Sequence, residues 1–553
     1  MKVLPYQIVC VLLILLCACS KKATEDVKPT PTPSSFSLNT LRVNGDYNGF
    51  DYKDVTTKPE IILTFNTALD ASSLASAILL KNTAGNTFAV QTSLSQNDSA
   101  IVIKPALDLN YLNKYTLSIN NLLKSKTGGN LRTEFTVNLT TQLDAKDKFP
   151  RISDEELLTK VQQQTFRYFW DFGHPVSGLA RERNTSGDIV TSGGSGFGIM
   201  AMVVGVERKF ITREQGLQRL TTIVDFLTNQ AEKFHGAFPH WLNGSTGKTV
   251  PFSAKDNGAD LVETSFLMQG LLTARQYFDG NTQAEITLRQ KINTLWNGVE
   301  WNWFTQNTSN GLYWHWSPTD AWAMNMKISG WNEALITYVL GASSEKYSIS
   351  KDVYQNGWTR NGAFKNGNSY FGVKLPLGGN MGGPLFFTHY SFLGLNPKLL
   401  TDQYTNYFDQ NKAHAQINYL YCKANPKQYA FYGENCWGLT ASDNENGYSA
   451  HAPDNDLGVI SPTAALASFP YTPTESMQAL QFFYYKLGDK IWKEYGFVDA
   501  FNLNKFWYAD SFLAIDQGPI IVMIENHRSG LLWNLFMSCP EVKNGLKKLE
   551  LTN

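Results

Sequence analysis

Cysteine is scarce in this chain, and its placement excludes a scaffold built on disulfides. Six occur in 553 residues, and three of them (Cys10, Cys17 and Cys19) fall in the first nineteen positions. Cys422, Cys436 and Cys539 remain, an odd number without regular spacing, so one bridge at most could form. An excess of either charge is also missing. Lysine and arginine number 48, aspartate and glutamate number 48, and no basic run extends beyond Lys21-Lys22. Binding to a phosphate backbone requires a basic face, so no nucleic-acid partner is expected. No CxxC pair, HExxH motif or glycine-rich phosphate loop is present, so neither a metal nor another cofactor is expected.

Aromatic residues, by contrast, are abundant, with 14 Trp and 25 Tyr in an aromatic fraction of 13%. Most such rings serve a core, but aromatic faces also stack on the apolar C–H faces of sugars. The N-terminus carries a second positive signal. Met1-Lys2 precedes the short apolar run Ile8–Leu16, which is too short to span a bilayer and has the form of an export leader. Leu16-Cys17-Ala18-Cys19 resembles a bacterial lipobox, with Cys17 at a position that usually holds a small residue. Residues 1–19 are therefore expected to be a lipoprotein signal, Cys19 the lipidated residue and 20–35 a flexible tether. An outer-membrane location on either face follows from that expectation.

Two different periodicities succeed each other. Between residues 36 and 142, Glu60–Asn66, Ala100–Lys104, Tyr115–Ile119 and Glu134–Leu139 alternate or run apolar, separated by Asn, Asp, Gly and Ser clusters. The pattern predicts a small β-sandwich, a spacer or docking module without a catalytic cluster. Beyond the charged linker after Asp144, Ser153-Asp154-Glu155-Glu156 forms a capping box. Helical stretches then recur, predicted at 195–207, 212–232, 260–278, 282–296, 330–340, 397–419, 474–492 and 518–537. Long Gly-, Trp- and His-bearing loops join them, and no βαβ alternation occurs. The expected architecture is mostly α, an (α/α)6 barrel at 150–545 behind the sandwich.

Glycosidic cleavage usually employs two carboxyl groups, and three acids cluster in Asp256-Asn257-Gly258-Ala259-Asp260-Leu261-Val262-Glu263. Read as helix, Asp256, Asp260 and Glu263 stack at i, i+4 and i+7 on one face. The competing reading makes them partners of a helix dipole. Glu333, in Gly330-Trp331-Asn332-Glu333-Ala334-Leu335-Ile336, opens an apolar stretch beside an indole. Such a site would raise its proton affinity, although it could equally be a helix cap. Trp331, Phe387, His389, Trp437, Asp443, His451 and Asp188, in aromatic or glycine-rich loops, are further candidates to touch a sugar, together with Glu263. Asp454 and Asp456 alone are a weak signal for calcium.

The stretches Gly330–Tyr338, Gly383–Ser391, Trp437–Asp443 and Ala514–Pro519 resemble the bacterial glycoamylase-like domain, and more narrowly glycoside hydrolase family 144. The segments Leu63–Asn66 and Val137–Thr141 resemble a bacterial Ig-like domain. The first resemblance implies an (α/α)6 barrel and hydrolysis of β-1,2-glucan with inversion, either endo-acting or releasing short products such as sophorose. It also implies that Asp256, Asp260 and Glu333 are the essential acids, with Glu333 the leading proton donor. Asp256 and Asp260 are left to base, water-positioning or substrate-orienting roles. Two alternatives stand beside it: a hydrolase of another β-glucan or an exo-β-glucosidase, and a non-catalytic surface lipoprotein that binds glycans.

Overall fold

Buried and exposed residues alternate along the strands of the N-terminal unit, and that alternation builds its core. The computed structural model describes residues 33–551, so the expected leader, Cys19 and nearly all of the tether lie outside the described residues. The chain divides into two compact units, one ending at Gln142 and the other beginning at Leu143. In the first, Leu38–Val43, Ile61–Phe65, Ala100–Pro105 and Val90–Ser95 form a four-stranded antiparallel sheet in that order. A second sheet runs Asp51–Val55, Phe135–Thr141, Lys114–Ile119, Ile78–Asn82 and Thr87–Phe88, parallel only at its first pair. Ile61, Leu63 and Phe65 from one sheet and Leu117, Ile119 and Val137 from the other belong to a single buried cluster. The period-2 pattern thus places every second residue in one apolar interior.

The second unit is built from helices of two kinds. Ser192–Glu207, Leu261–Tyr277, Leu335–Ser343 and Ala514–Arg528 are buried nearly all round, in keeping with apolar or small residues on every face. Asp154–Trp170, Arg213–Asn229, Gln283–Gly298 and Pro540–Leu549 bury one stripe and expose the other. The buried helices pack on one another, and each exposed one leans on a buried neighbour. Capping boxes start two of the outer helices, Ser153 with Glu156 and Thr212 with Gln215. Gly196 and Gly270 let two inner helices meet backbone to backbone, since a Cβ on either would collide with main-chain atoms of the other helix.

Several helix boundaries depart from the pattern read in sequence. The stretch predicted at 330–340 becomes helical only from Leu335, and the one at 397–419 is a 3-10 turn, Pro397–Leu399, followed by Tyr407–Ala424. The last long stretch begins at Ala514 and is cut by Gly530, whose φ of 71° ends one helix before Leu531–Ser538. Cys422, Cys436 and Cys539 are all free and buried. Among the described residues, no helix is long and apolar enough to cross a membrane.

A buried charge locks the inner helix Ala514–Arg528 to two neighbouring helices. Glu525, fully buried, accepts two bonds from the Arg208 guanidinium (2.7 and 2.8 Å), one from the Gln162 amide (3.1 Å) and one from Ser529 (2.6 Å). Removing the carboxylate leaves a half-buried guanidinium without its counter-charge. Glu525→Ala should therefore destabilise the protein by about 3–5 kcal/mol, read from the urea unfolding midpoint. A loss below about 1 kcal/mol would show that the pair does not lock the helices.

Candidate active site

Acidic side chains gather where the inner helices begin. Asp260 ends the two-residue strand Ala259–Asp260, which pairs with His315–Trp316, and it caps the helix Leu261–Tyr277. The Val262 and Glu263 N–H groups donate to its Oδ1 (3.0 and 2.9 Å), and His240 Nδ1 donates to its Oδ2 (3.0 Å). The expectation of three acids on one helix face is thus corrected, because only Glu263 lies within the helix. Asp256 sits in the preceding turn, closed by bonds from Phe252 N to Asp256 O (2.9 Å) and from Asp256 N to Ser253 O (3.1 Å). Asp260 stands at the positive end of the helix dipole, as the competing reading had it, and does so as the side-chain cap. Glu263 reaches instead to the start of Ser192–Glu207, where the Gly193 N–H (2.8 Å) and Thr191 hydroxyl (3.3 Å) donate to Oε2. Gly193 is needed there, since a Cβ would occupy the carboxylate's place.

Three buried acids in contact would repel one another, and His240 offsets this. Burial opposes its charge, but Glu263, Asp260 and Asp256 outweigh burial and lift the imidazole to about 9. It therefore remains a cation at neutral pH. Burial likewise pushes Asp260 up, yet the bond and charge of His240 hold it below the ordinary carboxylate range. Asp256 rises to about 7, first through burial and then through the adjacent Asp260 charge. It is only 4% exposed, and its Oδ1 has no hydrogen-bond donor. His315 Nε2 approaches Asp256 and Asp260 at 3.4 and 3.7 Å, and burial lowers its proton affinity. His240, Asp256 and Asp260 could each offer one atom to a cation, all within 4.8 Å of one another. Protonated, as its raised proton affinity favours, His240 would itself supply a positive charge at that point.

Glu333 lies in the turn before Leu335–Ser343. It does not cap that helix, because the Asn332 side chain accepts from Ala334 N (2.9 Å). The Ser391 hydroxyl accepts from Ile336 N (3.0 Å) and donates to the Glu333 carbonyl. The carboxyl itself keeps some accessible surface although protein surrounds it. Burial, reinforced by the Glu263 and Asp260 charges, raises it to about 7.

A second acidic group stands at the start of Ala514–Arg528. Asp516 and Asp499 are both buried, and Asp516 keeps two oxygens without donors. Burial and the Asp443 charge raise Asp499 to about 7, and burial with the Asp499 charge drives Asp516 well above the ordinary range. Two adjacent buried carboxyls cannot both ionise, so Asp516 holds the shared proton. Asp499 Oδ2 accepts from Asp443 N (2.7 Å), while the Asp443 carboxylate takes Arg183 Nη1 (3.1 Å) and the Ser511 hydroxyl (2.6 Å). An open cavity of about 440 Å³ borders this group, lined by Arg183, Asp443, Trp507 and Ser511 among others. Burial and the Asp516, Glu333 and Glu263 charges together drive the buried Tyr390 hydroxyl well above its ordinary range.

Several of the other expected contacts with sugar are corrected by burial. Trp437 is fully buried, bonded to Glu475 O (3.1 Å), and has no face to offer a ring. Trp331 packs among Trp358, Phe392 and Tyr407 with its indole N–H on His414 (3.3 Å). His389 is buried against Ser468, and burial lowers it to about 3, a neutral core histidine. His451 is fully buried as well, with neither ring nitrogen paired. Asp188 is exposed and bonded to His174 and Ser245. Phe387 keeps partial exposure against Phe386. Asp456 spends its oxygens on Tyr421, Tyr432 and Gly458 N, which leaves a cation little to bind. Sequence reading passed over Asp499, His240 and His315. A signal existed for Asp499, the lone acid in Phe497-Val498-Asp499-Ala500-Phe501.

Buried carboxyls held near neutrality are what the acid and base of a glycoside hydrolase require. Comparison with known proteins agrees. Residues 325–540 match the Glycoamylase family model, described as "Putative glucoamylase", and residues 50–141 match the bacterial Ig-like domain. An exo-β-1,2-glucooligosaccharide sophorohydrolase (non-reducing end) of Parabacteroides distasonis is 51% identical over 422 residues, 72% of this chain. The match spans 58% of that relative's own length. The endo-β-1,2-glucanase of Chitinophaga pinensis, solved with sophorotriose and glucose, is 53% identical. It covers 72% of this chain and 98% of its own, at a TM-score of 0.71. A β-1,2-glucanase structure from Parabacteroides distasonis is 41% identical and covers 94% of this chain and 73% of its own, at the same TM-score. The chain belongs to the glucoamylase-like glycoside hydrolases classed as family 144.

Proposed function

We propose that the protein hydrolyses β-1,2-glucan with inversion at the anomeric carbon, Glu333 protonating the leaving oxygen. The observation that carries this reading is a pair of carboxyls, Glu333 and Asp256, both held near 7 beside one cluster. A general acid must hold its proton at working pH and a general base must be able to accept one, and both conditions are met near neutrality. Asp256, with an oxygen free of donors, is assigned as the base acting on water. Asp260 has no accessible surface and acts through His240 and the adjacent carboxyls, as a positioning residue. The alternation of buried and exposed helices supports an (α/α)6 barrel, and the two sheets sharing one core support an Ig-like sandwich at residues 36–142. We further propose that Cys19 anchors the protein in the outer membrane, which globomycin-sensitive processing and palmitate labelling would test.

Incubation with β-1,2-glucan, laminarin, cellulose and starch tests the reaction: reducing ends are expected from the first. No product from any β-glucan would instead favour a glycan-binding protein. The pH profile follows from the two carboxyls. As pH rises through about 7, Glu333 loses the proton it must donate; as pH falls below about 7, Asp256 gains one and cannot accept another. A narrow bell for kcat/KM centred near neutrality is the expected result, and a flat profile from pH 5 to 9 would contradict both assignments. The Asp499–Asp516 pair, with its undonated oxygens, favours a second reading in which it supplies the base. Azide rescue separates the two, because it should restore turnover to Asp256→Ala under the first and to Asp499→Ala or Asp516→Ala under the second.

A further inference from the structure

An exposed aromatic ring stands directly behind the imidazole that serves the acids. Phe252 is 50% exposed, and its ring stacks on His240 with centroids 4.2 Å apart and planes 26° apart. Trp241 meets it edge-on at 4.8 Å and 63°, so the phenyl is supported on two sides. The same tight turn carries Phe252 and Asp256, closed by the bond from Phe252 N to Asp256 O. Any molecule lying on the open part of this ring is held in fixed register with the Asp256 carboxyl. Trp314, also partly exposed, lies nearly parallel to the His315 ring, with centroids 5.8 Å and planes 18° apart. Each imidazole that approaches Asp260 thus has an accessible ring beside it.

An exposed phenyl alone is unremarkable on a protein surface. This one differs in that it is braced, and in that the hydrophilic groups next to it are those assigned to the reaction. Sites for sugars and other small molecules combine an apolar or aromatic wall with a few convergent polar groups, and the turn Phe252–Asp256 supplies both within five residues. We infer that Phe252 is a stacking platform for a glucosyl unit of the substrate, docking that unit's C–H face so that its hydroxyls reach Asp256. The inference rests on the β-glucan reading above and adds to it a residue that determines binding. Phe252 itself moves no proton, so its contribution falls on substrate affinity.

The test uses the full chain with β-1,2-glucooligosaccharides of increasing length, comparing wild type, Phe252→Ala and Phe252→Tyr. The expected result for Phe252→Ala is a KM raised about tenfold, the order of one good aromatic contact, with kcat within about twofold. Phe252→Tyr should restore KM, and neither variant should shift the pH profile or the melting temperature. In a Glu333→Gln background, the Kd for the same oligosaccharides by calorimetry should weaken by the same factor on adding Phe252→Ala. An active Phe252→Ala enzyme with unchanged KM would overturn the inference. So would a loss confined to kcat with a displaced pH profile, which would mean that the ring serves only His240. A wild type that cleaves no β-1,2-glucan would overturn the functional reading instead, a distinguishable failure.

Discussion

Glu333→Gln should lower kcat on β-1,2-glucan by about a thousandfold, within the range general acid catalysis contributes. Glutamine has nearly the same shape, so the turn before Leu335–Ser343 should keep its geometry. The bonds that hold this turn run through Asn332 and Ser391 and never through the Glu333 side chain. The melting temperature should therefore stay within a few degrees of wild type, or rise, since the change removes a carboxyl buried near other negative charges. Substrate should still bind, so the variant suits a complex with an intact oligosaccharide. An aryl glucoside or sophoroside whose leaving group needs no proton should recover much of the lost rate. A rate within tenfold of wild type on glucan would remove Glu333 as the acid.

Asp260→Asn should cost about a hundredfold or more in kcat, for a different reason. Asparagine can still accept from the Val262 and Glu263 N–H groups, so the helix keeps its cap. What disappears is the fully buried negative charge bonded to His240. Without it the imidazole loses one of the carboxylates that lift it to about 9, and its proton affinity falls toward the ordinary histidine range. Wild type keeps the His240 cation up to about 9, whereas the variant should lose it at lower pH. The Asp260 charge also raises Glu333, so the alkaline limb of the pH profile, set by that acid, should move downward as well, while NMR titration of the imidazole would report the fall at His240. Asp260→Ala removes the cap as well and should lose about 1 kcal/mol more in stability than Asp260→Asn. If Asp260→Asn retained wild-type turnover, the charge of Asp260 would be irrelevant to the reaction.

The parts legible in sequence were those governed by local periodicity and by acids standing in apolar surroundings. Ile61, Leu63 and Phe65 announced their strand, and Ser153 with Glu156 announced a helix start, because both signals reside within a few residues. Glu333 stood out for the same reason that it is perturbed, as a charge among groups that do not solvate it, whereas Asp256 stood out only by its spacing from Asp260 and Glu263. The helix face drawn through Asp256, Asp260 and Glu263 was wrong because a capping aspartate is also an acid before an apolar run. Periodicity does not reveal on which side of the first turn such a residue falls. His240 and His315 were illegible because their roles arise from pairings across 20 and 55 residues with Asp260. Trp331, Trp437 and His389 show the reverse case. Their composition suits a sugar site, but ring chemistry alone cannot say whether a face is open, and here packing closes it.

The contact between Gly196 and Gly270 bears on how such an enzyme can be altered. Where main chain rests on main chain, no side chain remains to lengthen or shorten the gap between the two helices. The separation between the Gly193 amide and the capped end at Asp260 is therefore a fixed dimension of the scaffold. Changes in product length or linkage cannot come from sliding these helices apart. They must be made in the segments that project beyond them, such as the turn carrying Phe252. The frame is thus a constant against which those turns can vary, and loop exchange between relatives is the practical route to new specificities.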